Sequence, residues 1–489
     1  MRPPTGRVPF SLRGVLPVVL LVVGLFSLSA RCSDENEGGA LASGSSAGAR
    51  WIQVIEEHVP PLKHDRGGRL PMVLWESGGH DPLPESVVRM LLARGLARTV
   101  RLSATDIPAA LALQRAGSPV IVLDARGGVW PYKAKGNNTE PFSPGDLAPW
   151  ARAADGFRAT LRAFREAGVE VDGFWLDFEG QPSMASFDAV SQSPAHRELL
   201  PAGALASREA FMDFRRQFWA QLMSSYVAAP IREFYPRASI TNWVITLSSR
   251  ERPVRDWYDH PHPPLGPTLF TATTPVAYAI DTAFLASWRP ETPRDQEHVD
   301  RFFMNVLLRQ VSDNGWNLQR QAPYLRVIPW IGRWVPDHPK QEVPIMSREA
   351  YREGLRHLWL RGVDAMQVFN PVHAGRWEMA IAEVTDATSV YDEMLAHRKF
   401  LEKGEVLNFS YPEPEAPSLL WSGLRLGDRA VVRLYDQSGA AGRHTLELWP
   451  HDKVTLETPR GEGITHLVTR SQPPASIATP PRPPPVPSP

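Results

Sequence analysis

Asp172-Gly173-Phe174-Trp175-Leu176-Asp177-Phe178-Glu179 is a short apolar run that closes on two carboxylates two positions apart. On a β-strand, side chains at i and i+2 share a face. Trp175, Asp177 and Glu179 therefore project together, while Phe174, Leu176 and Phe178 project the other way. Two acids on one face at a strand end raise the proton affinity of one of them by like-charge coupling. That prepares a general acid at neutral pH. The plainer reading is a strand that ends in a solvated or Arg-paired acidic turn, and an isolated D-x-E pair favours it. The surrounding pattern shifts the balance.

Apolar strand-like runs and helical stretches alternate on both sides of the octet. Strands are expected at 70–75, 99–102, 120–123, 239–247, 275–280, 325–331 and 365–370, with the octet as the fourth of eight. Helices are expected at 85–98, 107–115, 146–167, 208–234, 295–314, 348–361 and 377–401. Such alternation indicates parallel βαβ units, and eight of them predict a (β/α)8 TIM barrel with enlarged loops over residues 69–403. A doubly wound sheet usually carries a Gly-rich turn after its first strand; Glu76-Ser77-Gly78-Gly79-His80 imitates one only weakly. From 404 to 470 the pattern changes to short alternating runs, which predict a small all-β, sandwich-like accessory domain. Residues 471–489 are dominated by proline and are expected to be extended.

The N-terminus has the layout of an export signal over residues 1–30: Arg2, Arg7 and Arg13, an apolar run from Val15 to Leu28, then Ser27-Leu28-Ser29-Ala30. Residues 31–68, rich in Gly, Ser, Ala and Glu, read as a flexible linker with one short helix near Trp51. Cys32 is the single cysteine, so no intramolecular disulfide exists. Membrane contact enters only through an uncleaved anchor or a lipid on Cys32, and Arg31 stands where a lipid-acceptor motif takes a small residue. The chain has 53 basic and 53 acidic residues, which leaves no electrostatic footprint for nucleic acid. Abundant Arg, Ala and Pro with one Cys suit a bacterial protein that is secreted, periplasmic or held at the cell surface.

In a (β/α)8 barrel the chemistry sits at the C-terminal strand ends. Those ends carry Trp75 and Glu76, Asp124, Asp177 and Glu179, Ser248 and Arg250, Tyr278 and Asp281, Trp330, Arg333 and Trp334, and Gln367, Asn370 and His373. Aromatic, acidic and amide groups on one face suit a carbohydrate, with indoles to stack on sugar rings and carboxylates to bind hydroxyls and move protons. Trp75, Glu76, Asp124, Trp175, Trp330, Trp334, Gln367 and Asn370 are the candidate substrate-binding residues, each set against an ordinary packing or solvated role. Asp124 has Arg126 beside it as an ion-pair partner, and Asp281 reads more simply as a helix cap. No metal-ligand spacing occurs at a strand end, since His80, His260, His262 and His373 are scattered; no G-x-S-x-G elbow or P-loop occurs. No cofactor is expected.

Strand seven, Pro329-Trp330-Ile331-Gly332-Arg333-Trp334, supplies no carboxylate to act as the second acid of a retaining pair. An inverting pair, Glu179 with Glu76 or Asp124, and a substrate-assisted route using Asp177 and Glu179 both stay open. The octet resembles the D-G-x-D-x-D-x-E signature of family 18 chitinase-like glycoside hydrolases, with Asp172, Gly173, Asp177 and Glu179 on its positions. Pro275-Val276-Ala277-Tyr278 is similar to that family's strand-six tyrosine motif. The resemblance implies Glu179 as general acid, Asp177 as the group orienting an acetamido, and Tyr278 as its hydrogen-bond partner, in an exported enzyme that cuts a polysaccharide or glycan. The chain departs from the signature at Trp175, where the middle aspartate falls, at Ala279 after the tyrosine, and at strand eight, which ends Phe369-Asn370. Those departures point to the rival reading, a non-catalytic glycan-binding or cell-surface barrel.

Overall fold

The computed structural model describes residues 46–74, 82–123, 146–176, 185–242, 270–279, 295–321, 325–333, 345–369 and 377–470. Eight barrel strands lie within them: β1 (Met72–Leu74), β2 (Leu96–Ala97 running on into Thr99–Val100), β3 (Ile121–Leu123), β4 (Gly173–Leu176), β5 (Ser239–Asn242), β6 (Ala272–Thr273 and Val276–Tyr278), β7 (Arg326–Val327 and Trp330–Gly332) and β8 (Gln367–Val368). Every neighbouring pair is parallel, in the order β1-β2-β3-β4-β5 and β6-β7-β8-β1. The remaining seam, β5 to β6, is sewn largely by threonine. Thr271 donates its N–H to Ile240 O (2.9 Å) and accepts the Ile240 N–H on Oγ1 (2.9 Å), and Thr241 Oγ1 donates to Ala272 O (2.9 Å). The ring is closed. The protein is a (β/α)8 barrel followed by a small all-β domain.

Helices line the outside: α1 (Ser46–His58), α2 (Glu85–Ala93), α3 (Ile107–Arg115), α4 (Ala148–Glu166), the short α5 (Phe187–Gln192) and α6 (Pro194–Glu198), α7 (Arg208–Leu222), α8 (Ala229–Phe234), α9 (Gln296–Gln321), α10 (Arg348–Trp359), α11 (Trp377–Leu395) and α12 (Arg398–Lys403). Residues Met223–Ala228 join α7 to α8 as a π-helical stretch. Pro230 explains it, because a proline ring collides with the carbonyl four residues back in a regular α-helix and widening the turn relieves the clash. The strands alternate as a barrel requires. Phe174 and Leu176 pack outward against the helices, while Trp175 joins Val73, Ala97, Ile121, Tyr278 and Trp330 in the cluster that fills the lumen.

Strands β4 and β8, half a barrel apart, enter the ring by the same device. Asp172 Oδ2 accepts the Val120 N–H at 2.8 Å, and Asp364 Oδ2 accepts the Val327 N–H at 2.8 Å. Each carboxylate replaces a missing ladder bond where the next-door strand begins. The first aspartate of the octet is thus a strand tie.

Two expectations are corrected here. Helix α2 stops at Ala93, short of the expected 98: Gly95, at φ +72, turns the chain, and Leu96–Ala97 pairs with Met72–Val73 as barrel strand. Residues 46–68, placed by composition in a linker, belong to the fold. Ile55 and Val59 are 0% and 1% exposed, and the Asp392 carboxylate caps the Lys63 and His64 N–H groups. A helical spacing of a few apolar residues outweighed the Gly/Ser-rich average. No described helix is long and apolar enough to cross a membrane. The segments 1–30 and 471–489 lie outside the described residues.

The β domain has strands β9 (Glu405–Val406), β10 (Leu419–Leu426), β11 (Arg429–Asp436), β12 (Gly442–Trp449), β13 (Asp452–Thr458) and β14 (Ile464–Thr469). A sheet ordered β9-β10-β11-β14 faces the β12–β13 hairpin across Val432, Leu434, Leu446, Leu448 and Trp449. Its other face shares the barrel's main core: Leu420, Leu424 and Val431 are buried with Leu355, Leu358 and Tyr351 of α10. Arg433 reaches across to Glu353 with two hydrogen bonds, Nε to Oε1 at 2.8 Å and Nη2 to Oε2 at 2.6 Å. Beside it, Ser422 Oγ meets both His357 Nδ1 and Arg361 Nε at 3.0 Å.

Candidate active site

The C-terminal ends of the strands are built, within the described residues, by Leu123, Leu176, Asn242, Tyr278–Ala279, Gly332–Arg333 and Phe369. Tyr278 at the end of β6 lies flat against Phe369 after β8, with ring centroids 5.2 Å apart at 23°. Trp330 of β7 meets the same phenylalanine edge-on, at 6.3 Å and 81°. Gly332 lets this happen: a Cβ there would stand 3.2 Å from the Tyr278 ring. Gln367 donates its Nε2 to Ile328 O at 3.0 Å.

Of the sequence-derived site residues, the structure brings together Trp175, Tyr278, Trp330 and Gln367, all at 2% exposure or less. Trp75, Glu76, Asp124, Asp177, Glu179, Trp334 and Asn370 lie outside the described residues. The two buried indoles present no open face for a sugar ring. Trp175 folds back over its own strand, and a Cβ on Gly173 would meet its Nε1 at 3.0 Å. Gly173 is therefore the space that Trp175 occupies, a packing role for the second residue of the octet. Trp175 and Trp330 fill the lumen, as bulky side chains do in closed barrels. Among the described residues no cluster of three or more metal-ligating side chains occurs.

One buried acid escaped the sequence reading. Glu383 of α11 is 0% exposed and accepts the Arg333 N–H on Oε1 at 2.8 Å and the Tyr351 hydroxyl at 3.2 Å. Burial pushes its carboxyl up to about 8, against the lowering effect of those two donors and the Arg333 charge. Desolvation also holds the Tyr351 hydroxyl well above its usual value, so it stays a donor. A signal existed: Ala380, Val384, Ala387, Tyr391 and Met394 form the apolar stripe of α11, and Glu383 stands within it. An acid on such a stripe is buried for a reason.

No protein-family model matches the chain, and no curated protein matches it. Solved structures similar to it include glycoside hydrolases. A noncanonic maltogenic α-amylase from Thermotoga neapolitana shares 12% identity at a TM-score of 0.41, over 83% of this chain and 98% of its own. An α-amylase from Geobacillus thermoleovorans, complexed with acarbose, shares 9% at 0.39, over 88% and 93%. A family 30 endoxylanase from Clostridium papyrosolvens shares 8% at 0.37, over 84% and 98%. At these identities and scores the barrel stands on its own hydrogen-bonded ring.

Proposed function

We propose that the protein is an exported glycoside hydrolase that cleaves a polysaccharide or glycan by general acid catalysis, with Glu179 as the acid. The observation that carries the proposal is the side-chain parity of β4: Trp175 faces the lumen while Phe174 and Leu176 face the helices. The alternation of the sequence predicts the same face for Asp177 and Glu179, the face where barrel enzymes act, and the observed parity of Trp175 supports that reading. Tyr278, at the end of β6, belongs to the same rim.

The specific version is substrate-assisted cleavage at an N-acetylhexosamine. Glu179 gives its proton to the glycosidic oxygen as the C1–O bond breaks. The acetamido carbonyl oxygen, oriented by Asp177 and hydrogen-bonded by Tyr278, forms the new bond to C1. Water then opens the cyclic intermediate and returns a proton to Glu179. The inverting version pairs Glu179 with Glu76 or Asp124 at roughly 6.5–9.5 Å.

A second reading, a glycan-binding barrel without catalysis, draws on one observation. Where the family signature has its middle aspartate, Trp175 fills the lumen, so the octet lacks one of the signature's carboxylates. Sugar release from N-acetylated and plain polysaccharides, by wild type and Glu179→Gln, separates the two. Release lost in the variant with binding retained is the expected result, and the responding polymer names the substrate class. Background release by both, with glycan binding intact, refutes the enzyme and leaves the binding protein.

A further inference from the structure

We propose that Glu383, on the outer helix α11, is the positioning residue for Tyr278 at the candidate site, acting through the single peptide unit between Gly332 and Arg333. This rests on Tyr278 being part of the working site, as proposed above. The N–H of that peptide belongs to Arg333 and donates to Glu383 Oε1 at 2.8 Å. The carbonyl of the same peptide belongs to Gly332 and accepts the Ala279 N–H at 2.7 Å. A peptide is planar, so a plane held by Glu383 at one edge is fixed at the other, where β6 ends at Tyr278–Ala279. Gly332 also carries the Tyr278 ring directly, being the residue whose Cβ position the ring crowds. A shift of the 332–333 peptide therefore moves both the backbone and the ring of Tyr278.

The clamp is itself held. Tyr351 of α10 donates to the same Oε1 atom, and Arg333 Nε donates to Met346 O at 2.9 Å ahead of α10. The charged neighbours are Arg333 at the end of β7 and, on α11 itself, Asp386, which is taken up by Arg348 of α10 at 2.7 Å and faced by Arg352 at 3.5 Å. The apolar stripe of α11 would take an aliphatic residue at 383, but the buried Tyr351 hydroxyl and the Arg333 N–H both need an acceptor there, and Glu383 Oε1 serves both. Because the group is buried, its proton is retained in the folded chain, and a glutamine, equally neutral and with the same carbonyl acceptor, should serve in its place.

The test measures amide hydrogen exchange at Arg333 and Ala279, together with kcat and KM on the responding glycan, in wild type, Glu383→Gln and Glu383→Ala. Protection of both amides is expected to fall roughly tenfold or more in Glu383→Ala, the scale of one net hydrogen bond to a buried acceptor. Glu383→Gln should restore it. In turnover, kcat should drop in the alanine variant and recover in the glutamine variant, with KM little changed, since misplacement of a catalytic contact acts on the transition state. Unchanged exchange at both amides in a folded Glu383→Ala protein would overturn the proposal. So would a loss of stability with no change in kcat. If wild type releases no sugar, the exchange result still decides whether Glu383 holds the peptide, and only the function proposed for Tyr278 fails.

Discussion

Arg433→Ala should destabilise the whole protein, not just its C-terminal domain, by about 3–5 kcal/mol. Arg433 and Glu353 are 9% and 7% exposed, and their bidentate pair lies between the barrel helix α10 and the sheet strand β11. Removing the guanidinium leaves a buried carboxylate whose remaining neighbours are Arg356, 3.1 Å away, and His357. His357 Nε2 lies 3.2 Å from Oε1 but off the hydrogen-bond direction, so it replaces little of what is lost. A double variant, Arg433→Met with Glu353→Gln, should recover most of the loss, because a neutral pair of similar volume pays no desolvation penalty. Denaturant midpoints of the three proteins check this. A single variant within about 0.5 kcal/mol of wild type would mean the domains do not depend on the pair.

The same junction makes the fold acid-sensitive. Burial alone would raise the Glu353 carboxyl, but the facing His357 and the Arg433 donors reverse this and hold it well below the ordinary 4.5. Its contribution is present above pH 4.5 and is lost as the pH falls below that. Burial pushes His357 down to about 4 from 6.5, against the opposing pull of Glu353. The unfolded chain therefore takes up that proton first, and stability drops as the pH falls from 6.5 toward 4. Both groups act in one direction. Glu383 acts in the other: with its carboxyl raised from 4.5 to about 8, folding keeps a proton that the unfolded chain releases, so its contribution erodes as the pH rises from 4.5 to 8. Stability curves of Glu383→Gln and wild type should diverge over that interval, with the wild type losing stability relative to the variant as the pH rises.

Trp175→Ala should cost about 3–5 kcal/mol, the price of an unfilled aromatic cavity in a core. Its indole is 1% exposed and packs among lumen residues contributed by strands on every side. A residue acting as a solvent-facing sugar platform would behave otherwise, losing affinity when truncated and leaving the melting temperature in place. A drop in Tm, with glycan binding reduced only as far as the folded fraction, assigns Trp175 to packing. An unchanged Tm with binding abolished would restore it to the substrate site.

The barrel was legible in the chain because its βαβ units are local: each strand and its helix lie within a few dozen residues, and period-two or helical spacing of apolar groups marks them directly. Helix α3 is found at Ile107–Arg115, as its spacing predicts. The octet's two faces are found as alternation demands, over the part that is described. Asp177 and Glu179 could be named as candidate acids from the same alternation, and both lie outside the described residues. The β domain was legible as a run of short strands but not as part of the barrel's core. Composition marks a change of element type and carries no information on how tightly two sets of elements pack.

What only the tertiary structure decided is which polar residues are buried, and against what. Arg433 and Glu353 are 80 residues apart, and Glu383 and Arg333 are 50 apart. A carboxylate in a sequence looks the same whether water or a guanidinium will surround it; its cost and its proton affinity are set by neighbours that long-range folding supplies. The same holds for Trp175 and Trp330, whose indoles read equally well as platforms or as filling until the ring closes around them. Local spacing determines the elements and their order. The closure of the ring and the docking of the β domain determine the dielectric, and with it the chemistry, at each polar side chain.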